Sequence, residues 1–372
     1  MLKDLFTRLF LKKASRSRIE HILKNEGFVY CQQDIDNLLK GNQKGTRYGN
    51  IVLSQKEKEV HQKRFLKIVL DGTWKTFKLF RRQVKVSEML HKNNLLDAST
   101  IAAIKPFLSP PLPYCIFETL EDGEDFGFMH DQPSFYEMFT EKDMDNLVNT
   151  IYKFHLSGQH IDHNTSKYVR NVTSNLEHYK AECKKRLNKK ITHVSKDGST
   201  VNKTVKELLH SYLKIPNVEK EIIKILEENW PYVHSSRIDK GHYLVHADMQ
   251  IDNVYKHKNG SFELLDFEWV GKSDNPVIAI MYDFGNLRAR SWSSPSFQKM
   301  LDKAMIKVGK KYYKDTNMIQ ASLTLGVIRS ALMMSRYHLD FENTTKNDKR
   351  TETEYHKMYP RTISALASVL KN

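Results

Sequence analysis

The sequence predicts an α+β protein in which a small, basic, strand-rich region precedes a large, mainly helical one. Strand-type segments rich in β-branched and aromatic residues are concentrated before residue 120, whereas later segments carry apolar residues at helical spacing. The chain has 372 residues, about twice the length of a typical single domain. It is therefore long enough for two lobes, and a cleft between them is the expected place for chemistry.

The first 26 residues have the spacing of an amphipathic helical segment, which ends near Gly27. Apolar residues recur there at intervals of three and four, namely Leu2, Leu5, Phe6, Leu9 and Phe10. From there to about residue 75 the pattern predicts two or three antiparallel strands. A loop at residues 45–50 precedes a strand at 51–53, and a charged connection over residues 56–63 leads to a strand at 65–70.

A helix is expected over residues 74–92, followed by a proline-rich break at 108–113 and a strand at 114–118. The rest of the chain is predicted to be mostly helical. The expected helices cover residues 143–156, 174–187, 205–213, 218–229, 296–313, 318–337 and 352–370. A hairpin at 191–201 and short strands at 243–245 and 262–265 interrupt them.

Composition excludes several classes of protein. Hydrophobic residues make up 40% and charged residues 28% of the chain, which is typical of a globular protein rather than a disordered or fibrous one. Uncharged runs are far shorter than the roughly 18–20 apolar residues that span a bilayer. The three cysteines are widely spaced and too few for a disulfide framework, and the first residues do not resemble a secretory signal. These features indicate a cytoplasmic protein.

The charge is strongly positive and unevenly distributed. The net charge is +15, and residues 1–100 contribute +11 of it, with 21 lysines and arginines against 10 acids. Such a charge favours an anionic partner, for which nucleic acid, a phosphorylated ligand and an anionic membrane surface are all candidates. A specific nucleic-acid function has no recognition motif behind it.

The most informative segment is residues 246–269. It places Asp248 at the end of a predicted strand, Asn253 five residues later and Asp266 directly after the next short strand. Phosphoryl transfer requires a carboxylate that orients the substrate hydroxyl and accepts its proton, and oxygen ligands that hold Mg²⁺ against the nucleotide phosphates. The alternative is that these residues only cap turns on a solvated loop. However, apolar strand residues precede both acids, which favours an active site.

A sequence pattern over residues 246–283 resembles the aminoglycoside phosphotransferase and choline kinase group of protein-kinase-like small-molecule kinases. The pattern is His-x-Asp-x-x-x-x-Asn from residue 246, Asp-Phe-Glu from residue 266 and Tyr-Asp from residue 282. The resemblance implies a bilobal protein-kinase-like fold over roughly residues 27–340. It also implies that Asp248 is the catalytic base, that Asn253 and Asp266 ligate Mg²⁺, and that Asp283 is a buried carboxylate supporting the catalytic loop.

Two histidines near this pattern are expected to have structural roles. His246 has no second His or Cys at metal-ligand spacing, and Mg²⁺ prefers oxygen, so we expect it to form hydrogen bonds within the catalytic loop, with Asp283 as one candidate partner. His155, at the end of a predicted helix, is expected to be a packed core histidine.

Lys67 is the candidate lysine for the nucleotide phosphates. It lies inside the apolar strand at residues 65–70, where an unpaired ammonium group is costly. The alternative is a lysine at a strand edge, and Lys63 and Arg64 are flanking candidates for the phosphate role.

Glu88 is the candidate partner of Lys67. It shares a helix stripe with Phe77, Phe80 and Val84, so its carboxylate is expected on the apolar side of the helix. The alternative is a surface acid that balances a nearby lysine, Lys85 or Lys92.

Four further residues are expected to contact the nucleotide, although their signals are weaker. Gly45 and Gly49 flank the turn before the second strand, where glycines allow the backbone to approach phosphates, but an ordinary hairpin turn would have the same sequence. Glu118 and Leu120 resemble the inter-lobe hinge that recognises adenine. Phe65 departs from the family pattern, because a smaller residue usually stands two positions before the lysine.

These features predict an ATP- or GTP-dependent kinase that phosphorylates a hydroxyl of a small molecule. The expected organisation is an amphipathic helical segment at residues 1–26, a nucleotide-binding N-lobe at 27–120 and a helical C-lobe at 121–372 that carries the catalytic loop and acceptor site. One alternative is a membrane-associated kinase of a lipid-linked or envelope glycan. Another is a catalytically inactive binding module of the same fold.

The apolar face and flanking positive charges of residues 1–13 allow two interpretations. The helix either docks on the protein itself or makes peripheral contact with an anionic membrane, since it is too short to bury this face alone. Membrane contact would place the protein at the inner face of the membrane.

Overall fold

The computed structural model describes most of the chain, with short gaps. The described residues are 14–43, 48–57, 60–92, 103–107, 114–118, 123–125, 136–194, 198–235, 241–291, 294–313, 315–347 and 351–370. The amphipathic helix expected at residues 1–13, and with it the expected membrane contact, lies outside these ranges.

The first part of the chain combines three helices with a small antiparallel sheet. Its elements are α1 (Arg16–Asn25), α2 (Gln32–Gln43), β1 (Tyr48–Glu57), β2 (Val60–Val69), α3 (Trp74–Lys92), β3 (Ala103–Phe107), β4 (Tyr114–Glu118) and β5 (Gly123–Asp125). Gly27 follows α1 with φ +70°, the left-handed conformation that commonly ends a helix. Thr73 precedes α3, and its hydroxyl accepts a hydrogen bond from the N–H of Thr76 at 3.2 Å.

Strands β1 to β4 form one sheet in the order β1-β2-β4-β3. Lys67 on β2 lies opposite Asn50 on β1 and opposite Cys115 on β4. Helices α1 and α2 cover this sheet and share a small core with it, which contains Ile19, Ile22, Leu23, Phe28, Ile35, Leu38, Leu66, Ile68, Leu70 and Tyr114. The later part of the predicted segment 1–26 therefore packs on the sheet, and its burial holds β2 in place.

The second part of the chain is mainly helical. Its elements are α4 (Glu141–Leu156), β6 (Arg170–Asn171), α5 (Leu176–Leu187), β7 (Lys190–Val194), β8 (Thr200–Thr204), α6 (Val205–Leu213), α7 (Val218–Ser235), β9 (Tyr243–Val245), β10 (Val254–His257), β11 (Phe262–Leu264), β12 (Gly271–Ser273), α8 (Pro276–Arg290), α9 (Pro295–Gly309), α10 (Thr316–His338) and α11 (Glu352–Leu370). A single large core joins α4, α8 and α10 and extends to the end of α3.

Two small sheets hold the segment that was predicted to carry the chemistry. One has the order β11-β10-β5, and the other has the order β6-β12-β9. Strand β9 leads into residue 246, and the β10–β11 hairpin separates Asn253 from Asp266. The ends of these short strands therefore bring the predicted catalytic residues to one place.

Helices α8 and α10 cross very closely at two glycines. A Cβ added to Gly285 would lie 2.3 Å from Gly326 Cα, and one added to Gly326 would lie 2.3 Å from the carbonyl oxygen of Met281. No side chain fits at this crossing, so both positions require glycine. The crossing fixes the helix that carries Asp283.

Several sequence expectations for the fold are wrong. Residues 32–43 form helix α2 where strands were expected, and strands β3 and β5 and helix α8 were not anticipated. The charged connection expected over residues 56–63 is shorter, because β1 continues to Glu57 and β2 begins at Val60. Gly49 lies inside β1 opposite Ile68 rather than in a loop, because the antiparallel pairing extends to Tyr48.

One helix among the described residues is long and apolar enough to cross a membrane. It covers Thr316–Ser335 within α10, and 78% of it is buried inside the protein. Burial against α8, α7 and α11 accounts for its apolar composition.

Candidate active site

The loop after β9 holds its backbone in an uncommon conformation. Ala247 has φ +65°, a left-handed value that costs free energy for a residue other than glycine. The next residue is Asp248. Its main-chain oxygen accepts a hydrogen bond from Asn253 Nδ2 at 2.8 Å. The main-chain oxygen of Asn253 in turn accepts a hydrogen bond from the N–H of Leu265 at 2.8 Å. These bonds join the loop to the start of the Asp266 segment.

Asp283 on α8 lies beneath this loop and is fully buried. Its carboxylate accepts hydrogen bonds from the backbone N–H groups of His246 and Ala247, both at 2.8 Å. His155 Nε2 lies 2.9 Å from the same carboxylate. The carboxylate thus fixes the strained backbone just before Asp248, and His155 contributes a polar contact that sequence reasoning did not anticipate.

The His246 ring bonds elsewhere. Its Nε2 lies 2.7 Å from the carbonyl oxygen of Leu265, so the ring connects the loop after β9 to the residue before Asp266. The candidate base and the candidate metal ligand are therefore held relative to each other through Asn253 and through His246.

Asp248 is partly accessible, with 28% of its side chain exposed. Arg290 Nη2 lies 3.5 Å from Asp248 Oδ1. Burial raises the pKa of the Asp248 carboxyl above its usual range, although Arg290 favours the ionised form. A carboxylate with a raised pKa and partial access is suited to accept a proton from a substrate hydroxyl.

Asp266 also has a left-handed backbone, with φ +61°. Its Oδ1 lies 3.0 Å from Lys67 Nζ, and 37% of its side chain is exposed. Burial raises the pKa of this carboxyl, but the neighbouring Lys67 ammonium outweighs burial, so the pKa lies below its usual value. Asp266 is therefore ionised and accessible, as a metal ligand has to be.

Lys67 is buried and fully satisfied. Its Nζ donates to Gln83 Oε1 at 2.8 Å, to Glu268 Oε1 at 2.8 Å and to Asp266 Oδ1 at 3.0 Å. Burial alone would lower the pKa of Lys67, but the carboxylates of Asp266 and Glu268 raise it above its usual value. The strand lysine of the first part is thus fixed against two acids of the second part.

Glu268 is less exposed than Asp248 or Asp266, with 8% of its side chain accessible to solvent. Burial raises the pKa of Glu268 to about 7, although Lys67 favours its ionised form. Arg82 of α3 donates to the backbone oxygen of Glu268 at 2.8 Å and to that of Tyr168 at 2.8 Å. Arg82 therefore connects helix α3 both to the segment after β11 and to the segment before β6.

The predicted pairing of Glu88 with Lys67 is wrong. Glu88 bonds Lys85 at 2.6 Å and has 36% of its side chain exposed. At about 100° per residue, Glu88 lies at the margin of the buried face of α3 near Lys85, whereas Gln83 lies in the middle of that face. Gln83 therefore reaches the lysine, and the surface-acid alternative describes Glu88.

The remaining predicted nucleotide contacts are only partly within the described chain. Gly45 and Leu120 lie outside the described residues. Glu118 ends β4 opposite Arg64, and Gly49 is part of β1. The structure therefore brings together Asp248, Asn253 and Asp266 with Lys67, and it does not bring Glu88 to them.

Asn253 and Asp266 fit a magnesium site that is completed by phosphate oxygens. The Asn253 amide nitrogen is used by the Asp248 backbone, which leaves the amide oxygen for a metal. Over the described ranges, no group of three or more His, Cys, Asp or Glu side chains is arranged to hold a metal ion. Mg²⁺ commonly binds proteins through one or two carboxylates and takes its other ligands from water and substrate phosphates.

Three residues of the site were missed by sequence reasoning: Gln83, Glu268 and Arg290. The sequence could have indicated Glu268, because this acid directly follows Asp-Phe in the pattern that begins at residue 266. Arg290 lies two turns after Asp283 on an apolar helix, where a basic residue stands out. Gln83 had no signal, since a neutral amide on a helix has many ordinary roles.

Comparison with known proteins supports the fold. No protein-family model matches this chain, and no curated protein sequence is similar to it at a significant level. Spectinomycin phosphotransferase, solved with ADP and spectinomycin, has a similar structure with a TM-score of 0.51 over 95% of this chain and 98% of its own, at 12% identity. Amicoumacin kinase, solved with AMP-PNP and Ca²⁺, gives a TM-score of 0.50 over 95% and 94% of the two chains, at 15% identity. The predicted bilobal α+β fold of protein-kinase-like small-molecule kinases is confirmed.

Proposed function

We propose that this protein transfers the terminal phosphoryl group of ATP or GTP to a hydroxyl group of a small molecule. The observation that carries the proposal is the meeting of four groups at the junction of the two parts of the chain. Lys67 of β2 bonds Asp266, while Asn253 and His246 tie Asp266 to the loop of Asp248. Phosphoryl transfer depends mostly on positioning and on charge stabilisation, which is what such an arrangement provides.

Each side chain has a role in this proposal. Asp248 accepts the proton of the acceptor hydroxyl, and Arg290 holds its carboxylate in place at 3.5 Å. Lys67 binds the nucleotide phosphates, which replace part of its contact with Asp266. Asn253 and Asp266 hold Mg²⁺, which would neutralise the phosphate charge when bound. Asp283 and His246 are positioning residues, because they act through the backbone of the catalytic loop.

The solved neighbours support the choice of donor. One binds ADP and the other binds AMP-PNP with Ca²⁺. One is a spectinomycin phosphotransferase and the other an amicoumacin kinase, which supports a small-molecule acceptor here; at 12% and 15% identity they do not specify which one.

Nucleotide binding and turnover test the proposal directly. Wild-type protein should bind Mg·ATP or Mg·GTP, and magnesium removal or Asp266→Ala should weaken this binding at least about tenfold. Asp248→Asn should keep nucleotide affinity and lose about three orders of magnitude in turnover, because only the proton acceptor is removed. Glu141→Gln, a change of an exposed acid on α4, is the matched control.

Two outcomes would contradict this function. Equal nucleotide affinity with and without magnesium would reject the metal site. Nucleotide binding with no turnover on any acceptor, unchanged by Asp248→Asn, would instead identify a binding module of the same fold.

A further inference from the structure

Two arginines at the end of α8 differ in the groups that hold them. Arg288 Nε lies 2.9 and 3.2 Å from the two carboxylate oxygens of Asp302. Arg290, the last residue of the helix, donates hydrogen bonds only to neutral amides among the described residues. Its Nε donates to Asn286 Oδ1 at 3.3 Å, and its Nη1 donates to Gln250 Oε1. Arg288 is thus bonded to an acid, whereas Arg290 is held in place by groups that carry no charge.

The amides that hold Arg290 belong to the surroundings of the catalytic loop. Asn286 is buried, and its Nδ2 donates to the main-chain oxygen of Met249 at 2.8 Å. Gln250 is the next residue of the loop, and both follow Asp248 directly. The end of α8 is therefore connected to consecutive residues of the loop, which fixes the guanidinium group relative to the proposed base.

The guanidinium group stops short of a hydrogen bond with Asp248. Arg290 Nη2 lies 3.5 Å from Asp248 Oδ1, whereas charge-assisted N–H···O bonds are about 2.7–2.9 Å long. Nη2 donates no hydrogen bond within the part of the chain that the structure describes, so its N–H groups remain available. The side chains of Arg290 and Asp248 are 29% and 28% exposed, so a small molecule can reach both.

A hydroxyl oxygen fits between these two groups. A hydroxyl group donates one hydrogen bond and accepts others, so it can donate to Asp248 Oδ1 and accept from Arg290 Nη2 at the same time. Two atoms separated by 3.5 Å can both lie about 2.8 Å from a third atom. The pair therefore defines a position for the reacting oxygen, beside the carboxylate that takes its proton.

Phosphoryl transfer moves negative charge between the neighbours of Arg290. The acceptor hydroxyl passes its proton to Asp248, and its oxygen forms a bond to the γ-phosphorus. The bond from that phosphorus to the oxygen that bridges it to the β-phosphorus breaks, so ADP or GDP leaves. Asp248 thus loses its negative charge as a charged phosphoryl group arrives on the acceptor oxygen. A fixed guanidinium group beside both can exchange one anion for the other without moving, and such preorganised charge stabilises phosphoryl transfer.

We propose that Arg290 is a catalytic residue that donates hydrogen bonds to the acceptor oxygen and to the phosphoryl group that this oxygen receives. This inference rests on the proposed function and adds a direct contact with the reacting atoms to the effect of Arg290 on Asp248. Arg288 is the matched control. It lies on the same helix, and its bonds go to Asp302 and to the Ser368 hydroxyl.

The contact is measured without an acceptor. Aluminium fluoride bound with Mg·ADP is a planar, anionic mimic of the phosphoryl group in transfer, with water in the place of the acceptor oxygen. Calorimetry gives the dissociation constant of Mg·ADP, or of Mg·GDP, with and without aluminium fluoride. We expect aluminium fluoride to tighten binding at least about tenfold in wild type and Arg288→Gln, and less than about threefold in Arg290→Gln. The nucleotide alone should bind equally to all three proteins, because the contact is with the group in transfer.

Two further variants separate a lost contact from a disturbed loop. Arg290→Lys should retain part of the tightening, since it keeps a cation that can donate hydrogen bonds. Arg290→Ala should regain at least about threefold tightening in millimolar guanidinium chloride, because the free ion replaces the missing group. This concentration is far below the denaturing range. Arg288→Ala should not respond to the ion.

The Asp248→Asn background distinguishes a direct contact from an effect through the base. A direct contact predicts that Arg290→Gln reduces the aluminium fluoride effect by the same factor with Asp248 and with Asn at this position. If Arg290→Gln has no effect in the Asp248→Asn background, the direct contact is overturned and Arg290 is a positioning residue.

The remaining outcomes separate this inference from the proposed function. Equal tightening in wild type and Arg290→Gln, or no tightening in wild type, would overturn the contact and leave nucleotide binding intact. Failure of wild type to bind both Mg·ADP and Mg·GDP would instead contradict the proposed function, and this inference with it.

Discussion

Two groups of cations differ in their surroundings: Lys67 on β2, and Arg170 and Arg329 in the mainly helical part of the chain. Lys67 is held by two carboxylates and an amide at 2.8–3.0 Å. Arg170 and Arg329 lie against aromatic rings and contact no carboxylate of the described chain. Carboxylates contact Lys67 directly, whereas the acids near the two arginines, Asp283 and Glu182, act on them only at longer range. A cation in direct contact with two carboxylates contributes to stability and alignment, whereas a guanidinium group that lies against an aromatic ring depends on a cation–π contact instead.

The largest expected effect comes from removing the balanced cation. Lys67→Met leaves Asp266 and Glu268 next to each other in a poorly solvated site, and breaking a buried ion pair in this way costs about 3–5 kcal/mol. Urea denaturation at pH 7.5 measures this loss. Lys85→Met, which removes the more exposed partner of Glu88, should cost less than about 1 kcal/mol. Equal stability of Lys67→Met and wild type would remove the contrast between the two groups.

The pH dependence of stability tests the Glu268 carboxyl. Its folded-state pKa, about 7, lies above its usual 4.5, so the folded protein binds a proton that the unfolded chain releases between these values. Stability from this group is fully present below pH 4.5 and is lost as the pH rises to about 7. The free energy of unfolding of Glu268→Gln, relative to that of wild type, should therefore increase by on the order of 2 kcal/mol as the pH rises through this window, since one pKa unit corresponds to about 1.4 kcal/mol. Denaturation curves of both proteins at pH 5, 6 and 7.5 measure this difference in stability. A difference that does not change with pH would contradict the raised pKa of Glu268.

A smaller effect distinguishes Gln83 from Glu88. Gln83→Leu removes one acceptor from the Lys67 ammonium and should cost about 1.5 kcal/mol, the usual size for a hydrogen bond to a charged group. Glu88→Gln should change stability by less than about 0.5 kcal/mol, because its ion pair with Lys85 is partly solvated. Nucleotide affinity should be unchanged in Glu88→Gln. A larger loss for Glu88→Gln than for Gln83→Leu would restore Glu88 as the functional partner.

A small stability change is also expected when Arg329 is replaced. Arg329→Gln removes a cation–π contact and a repulsion between like charges at the same time, so the two effects offset each other to within about 1 kcal/mol. Unfolding in a buffer free of phosphate and carboxylates measures this. A loss of several kcal/mol would show that the arginines are packing elements and that the difference between the two groups is only apparent.

The boundaries of several elements were predicted well. The helix Trp74–Lys92 and the strands Tyr114–Glu118 and Tyr243–Val245 agree with the sequence expectation. Helix α8 was missed because nearly all of its residues are buried, so it has no polar face and no amphipathic period. Strand β3 was missed because it is a short edge strand that contains Pro106, and edge strands are where proline is tolerated.

The sequence by itself determined the local part of the site. Asp248, Asn253 and Asp266 lie within 20 residues, and one short hairpin is enough to bring them together. Local geometry depends on turn chemistry and strand ends, which neighbouring residues specify. The sequence also determined that Lys67 needs an anion, because its strand neighbours are apolar.

Only the tertiary structure decided which groups supply the anions. Lys67 meets Asp266 and Glu268 across sequence separations of 199 and 201 residues, and it meets Gln83 instead of Glu88 because helix α3 turns that face toward the strand. On a helix each residue changes direction by about 100°, so a plausible stripe does not specify which side chain reaches a partner. The placement of Arg170 likewise depends on strand pairing at Gly271, and that of Arg329 on the close crossing of α8 and α10. Such contacts arise from the packing of distant elements, because no local sequence signal specifies which distant side chains will meet.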